Sequence, residues 1–185
     1  MLKGAKKPLV IVGKGCCMSE YLLKNDAKNL TEFVSNANLP FLPTPMGKGV
    51  VSDFHSNNAS AARSLVLREA DVILLLGARL NWILHFGMPP RFNKKVSIIQ
   101  VETDQHEFHT NRKSACTIFG DLGRVIEELK HMNDKEGWKF ESTEWWSKIN
   151  KKKEANALAT KEFIELPAPL MNYYSSISTV SLPSL

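Results

Sequence analysis

Short, uninterrupted apolar runs that stop at a glycine or a charged residue constrain this chain more than any other feature. Pro8–Gly13 (PLVIVG), Pro40–Thr44, Val72–Gly77, Val96–Glu102 and Thr117–Asp121 each read as a strand. Between them lie stretches with helical spacing. In Ser19–Ala37, with Ser19 as the N-cap, Leu23, Ala27, Leu30 and Val34 recur at intervals of four, three and four. Ala59–Glu69 is a second helix, and Leu122–Met132 a third that turns Val125, Ile126 and Leu129 inward. Strands that are apolar throughout, with no in–out alternation, must be covered on both faces, as in a parallel sheet with helices on each side. The expected fold is therefore α/β, a Rossmann-like parallel sheet of five strands, with a sixth candidate around Gly49–His55. The order of the strands in space is not legible in one sequence.

A chain of 185 residues with 43% hydrophobic and 23% charged residues suits one folded main domain. The pattern changes after Met132. Residues 1–135 form the expected domain and 136–169 a helical linker containing Thr143–Ile164, with Trp145, Trp146, Ile149 and Leu158 as anchors. Leu166–Pro169 breaks that helix, and residues 170–185 are too short and serine-rich to fold alone. The longest apolar run, Val72–Leu76, is too short to cross a bilayer. Neither a signal peptide nor any other targeting signal is visible, and an intracellular location is expected. Cys16, Cys17 and Cys116 lack the C-x-x-C spacing of a metal or redox site. The net charge of +5 comes from scattered lysines. The one tight run, Lys151–Lys153, has no interleaved aromatics, so no nucleic-acid partner is expected. A basic surface also suits a phosphorylated small ligand.

In open parallel sheets, ligands bind where the strands end at their carboxyl side. Here those ends read Gly13-Lys14-Gly15, Gly77-Ala78-Arg79, Val101-Glu102 and Gly120-Asp121-Leu122. Glycines admit a phosphate, cations neutralise it and a carboxylate accepts ribose hydroxyls, so the set fits an adenine nucleotide. Each member has a structural alternative. The glycines make a tight turn, Asp121 caps the following helix, Glu102 is a solvated strand end, and Arg79 pairs with Glu102 or Asp121.

Other motifs fail. The dinucleotide fingerprint breaks at Met18, and Gly47-Lys48-Gly49 is not a phosphate-binding loop. His106, Glu107 and His109 read as polar surface, not as a metal site. No catalytic residue and no metal ligand is assigned.

Two long runs carry a family resemblance: residues 39–51 (LPFLPTPMGKGVV) and residues 77–91 (GARLNWILHFGMPPR). Ile11–Gly15, Ala61–Ser64 and Met171–Tyr174 fit the same pattern. From Lys7 to Tyr174 the chain resembles the central domain of 2-hydroxyacyl-CoA lyases, with oxalyl-CoA decarboxylases next. The resemblance implies a thiamin diphosphate- and Mg2+-dependent homotetramer that cleaves 2-hydroxy fatty acyl-CoA to formyl-CoA and a shortened aldehyde in peroxisomal α-oxidation. It also implies that the cofactor-activating domain lies outside this chain and that residues 170–185 are the truncated start of the C-terminal thiamin diphosphate-binding domain, so the chain is inactive alone and does not bind thiamin diphosphate. In similar oxalyl-CoA decarboxylases the central domain holds ADP at positions matching Lys14, Arg79, Glu102 and Asp121–Leu122. That family has Asp where this chain has Glu102.

The resulting expectation is the central domain of a carbon–carbon lyase with an ADP or CoA site at Gly13, Lys14, Gly15, Arg79, Glu102, Asp121 and Leu122. Its rivals are a stand-alone ADP- or CoA-binding regulatory or scaffolding module, a fragment of an oxalyl-CoA decarboxylase-like enzyme, and an NAD(P)-dependent oxidoreductase.

Overall fold

A computed structural model describes residues 1–18 and 25–164. Five strands form one sheet: β1 (Pro8–Val12), β2 (Phe41–Pro43), β3 (Val72–Leu76), β4 (Ser97–Glu102) and β5 (Cys116–Phe119). Every pairing is parallel, in the order β2-β1-β3-β4-β5. The expected parallel α/β fold is therefore present. No sixth strand forms between Gly49 and His55. That segment makes only an isolated bridge from Lys48 to Val51, because Gly49 turns the chain at φ +88°.

The continuous apolar runs divide by parity onto two faces. Leu9, Ile11, Ile73, Leu75 and Ile98 face one layer, where α3 (Arg63–Glu69) contributes Val66 and Leu67. Val10, Val12, Leu74, Leu76 and Val101 face the other, against Leu30, Phe33 and Val34 of α2 (Asp26–Asn36) and Leu122 and Ile126 of α4 (Leu122–Glu136). The short α1 (Gly15–Met18) adds Cys16 to this second layer. Among the described residues the helix expected over Ser19–Ala37 spans Asp26–Asn36; its proposed cap Ser19 and Leu23 lie outside them.

The helix α5 (Thr143–Ile164) enters the core through its first two turns. Trp145 and Ile149 are fully buried in the layer that holds α3. Trp146 packs against the same layer, whereas Leu158 is 62% exposed and anchors nothing. Past Ile149 the contacts of α5 are polar: Lys153 Nζ donates to Ser56 O at 3.3 Å and Asn156 Nδ2 to Ala61 O. Residues 165–185, including the Leu166–Pro169 break and the terminal segment, lie outside the described residues.

Candidate functional site

The chain runs from β1 to β2 on one side and then returns to β3 on the other. This reversal leaves a crevice outside the carboxyl ends of β1 and β3, the place where open sheets of this type bind ligands. Its floor is backbone. The Gly13 N–H donates to Leu76 O at 2.8 Å, Gly15 N–H to Gly77 O at 2.9 Å, and Gly77 N–H to Val101 O at 2.9 Å. A Cβ at Gly15 would lie 2.6 Å from Leu122 Cδ1 and 2.9 Å from Gly77 Cα, so the two turns interlock only as glycines.

Around this floor lies a cleft of about 400 Å³. Lys14, Arg79 and Thr44 bring polar groups to it from the ends of β1, β3 and β2, while Glu102 and Thr103 supply the β4 side. The outer wall is the β3–β4 connection, with Asn81, Ile83 and Leu84. That connection is braced from elsewhere: Arg63 Nη2 donates to Ile83 O at 2.6 Å, and Asn111 Nδ2 to Leu80 O at 2.8 Å. Lys14 is exposed and makes no ion pair among the described residues. Arg79 is 63% exposed, and its Nε lies 2.9 Å from Glu107 Oε1. Glu102 is buried, and its Oε1 accepts the Thr103 N–H at 3.0 Å. No cation pairs with it among the described residues. The cleft thus sets two cations beside a buried acceptor that carries no counter-charge. Such a site fits a ligand that is anionic at one end and presents hydroxyl donors at the other.

Lys14, Gly15, Arg79 and Glu102 of the expected set come together at this cleft; Gly13, Asp121 and Leu122 do not line it. Gly13 is packed against Gly77 and Ala78, and Leu122 lies beneath Gly15 and Gly77. Asp121 caps α4, its Oδ1 accepting the Arg124 N–H at 3.0 Å. Asp121→Ala is expected to lower stability by about 1 kcal/mol, read in a thermal melt. Sequence reasoning missed Thr44, Asn81, Thr103 and Glu107. Asn81 had a local signal, since its Oδ1 accepts the Ile83 N–H at 3.0 Å in an Asx turn. Arg79 pairs with neither Glu102 nor Asp121 but with Glu107, which reads in sequence as plain surface.

Other places offer less. A larger groove of about 760 Å³ lies at the opposite edge, near the amino end of β1, between residues 2–7 and 138–145. Two of its lysines are already paired, Lys3 with Glu136 and Lys7 with Glu69, both at 2.8 Å. The smaller cleft is the candidate site because charge, glycine backbone and topology coincide there. Burial pushes the Cys16 thiol up to about 12 and also raises Cys17, so neither is an activated thiolate. Among the described residues no three His, Cys, Asp or Glu side chains converge to hold a metal ion. None of their helices is long and apolar enough to cross a membrane.

The sheet order and the crevice at its switch point define a doubly wound, Rossmann-like α/β domain. Residues 1–129 match the family described as thiamine pyrophosphate enzyme, central domain, and the chain belongs to that family. It is 42% identical over 176 residues, 95% of its length, to 2-hydroxyacyl-CoA lyase 1 of Mus musculus and of Homo sapiens. To oxalyl-CoA decarboxylase of Escherichia coli K12 it is 34% identical over 185 residues, 97% of its length. The resemblance carried by the two long runs is borne out. The chain spans only 29% of the mouse protein and 31% of the bacterial one.

Proposed function

We propose that this chain is the central domain of a thiamin diphosphate-dependent carbon–carbon lyase that cleaves 2-hydroxyacyl-CoA to formyl-CoA and a shortened aldehyde. Within that enzyme it supplies a binding site for ADP or for the ADP portion of CoA. The supporting observation is the cleft at the β1–β3 switch point, where Lys14 and Arg79 stand beside a glycine floor and the buried Glu102. On this reading the whole protein works as a homotetramer with Mg2+ in peroxisomal α-oxidation.

Thiamin diphosphate, when bound, supplies the carbanion chemistry for cleaving the carbon–carbon bond. The residues described here do not fit that group. Asp121 spends its carboxylate on the α4 cap, and no acidic cluster converges elsewhere among them. On this reading the domain's own role is binding.

A nucleotide does fit. Gly15 and Gly77 let the β1 and β3 turns close on each other over Leu122, which leaves backbone as the floor of the cleft. Arg79 stands three residues past the end of the buried β3, on a turn tied to β4 by the Gly77 N–H to Val101 O bond, so its backbone is held close to the sheet before a phosphate arrives. Arg79→Ala is expected to weaken ADP about tenfold, the loss of one charge-assisted contact, while leaving adenosine unaffected. Glu102→Asp is expected to preserve or improve ADP affinity if the carboxylate meets ribose hydroxyls. Calorimetric titration of both ligands into wild type and variants, with thermal melts alongside, is the test. Unchanged ADP affinity with a lowered melt would make Arg79 a structural residue only.

A further inference from the structure

We infer that Glu107 is a positioning residue for Arg79, and that a buried relay from Ser114 through Gln100 holds Glu107 in place. This rests on the nucleotide reading of the cleft and adds to it a residue outside the cleft lining.

Gln100 is a polar side chain between Ile99 and Val101 in β4, and it is only 1% exposed. Such a group is costly in a core unless both ends of its amide are paired. Both are. Its Oε1 accepts the Ser114 hydroxyl at 2.8 Å, and Ser114 is itself 4% exposed. Its Nε2 donates to the Glu107 carbonyl at 2.9 Å. The same short turn is pinned at its start, where Asp104 Oδ1 accepts the His106 N–H at 3.0 Å. Glu107 therefore sits on backbone tied to the sheet, and its side chain is only 21% exposed. From that fixed point Oε1 meets Arg79 at Nε, 2.9 Å away. Nε is the guanidinium nitrogen nearest the chain, so the two Nη groups remain beyond it for a phosphate.

An exposed ion pair of this kind adds little to stability. Its effect lies in orientation: a long side chain held before the ligand arrives loses less freedom on binding. Two effects compete when Glu107 is changed. Losing the anchor weakens phosphate binding, whereas losing a nearby negative charge strengthens it. Glu107→Gln separates them, since glutamine keeps an acceptor for Nε and drops the charge.

The test is ADP and adenosine titration into wild type, Glu107→Ala, Glu107→Gln, Arg79→Ala and the Glu107→Ala/Arg79→Ala double variant. Glu107→Ala is expected to weaken ADP about three- to tenfold, the loss of one pre-ordered side chain. Glu107→Gln should stay at or above wild-type affinity, the double variant should bind no more weakly than Arg79→Ala, and adenosine should respond to none of these changes. ADP binding that depends on Arg79 but is undiminished in Glu107→Ala overturns this inference alone. An equal loss in the Arg79→Ala background, or a parallel loss for adenosine, also overturns it, because Glu107 would then be structural. If wild type does not bind ADP, the nucleotide reading falls and this inference falls with it.

Discussion

Trp145→Ala should destabilise the domain by about 3–5 kcal/mol, the range for deleting a large buried aromatic side chain. Trp145 is 1% exposed and lies in the layer formed by Leu9, Ile11, Ile73 and Leu75. Its Nε1–H donates to Pro8 O at 3.2 Å, a carbonyl at the start of β1. Lys7 Nζ sits 5.5 Å from the ring centroid and adds a cation–π contact. Alanine would remove the packing, orphan the Pro8 carbonyl and open a cavity under the sheet. For a chain of this size the melting temperature should fall on the order of 10 °C. Trp145→Phe keeps most of the volume and loses the hydrogen bond, so it should cost about 1–3 kcal/mol. An unchanged melt in Trp145→Ala would mean that α5 is a connector that merely touches the sheet. The expected drop would place its first turns inside the domain, past residue 129, where the family match ends.

β1 and β3 were legible because they are buried on both faces and carry only apolar residues. All five positions of β1 and all five of β3 are buried, so their runs read cleanly. β5 was harder to bound, since it is an edge strand of alternating partial exposure with Phe119 65% exposed. Gly49–His55 read as a further strand candidate, but the segment opens on a glycine turn and makes only an isolated bridge. Strand order depends on long-range pairing, which leaves no local trace. Among the site residues, those following strand ends could be found because topology assigns those positions a role. Glu107 could not, because it meets Arg79 across two segments far apart in sequence and sits in a polar stretch like any solvated turn. Leu158 misled for another reason: nine residues past the buried Ile149, at about 100° per residue, it falls on the opposite face of α5 and stays exposed.

Gly77→Ala is the other change expected to have a large effect, and two separable costs combine in it. The residue has φ +56°, a left-handed conformation that costs a non-glycine residue about 1–2 kcal/mol. Its new Cβ would also lie 2.7 Å from Leu122 Cδ1 and 2.8 Å from Gly15 Cα. The leucine can shift, but the Gly15 backbone is held by its own hydrogen bond to Gly77 O at 2.9 Å. Overlap of this kind costs about a further 1–3 kcal/mol. Gly137→Ala is the matching control. It has φ +62°, so the backbone strain is comparable, and a Cβ there meets nothing within 4 Å. The difference between the two melts isolates the steric part, which should be at least half of the Gly77→Ala effect. That part pushes the β3 turn away from the β1 turn, so it should also weaken ADP, whereas Gly137→Ala should leave ADP affinity intact. If both variants lost equal stability and neither changed ADP binding, the close approach of the two turns would have no bearing on the cleft.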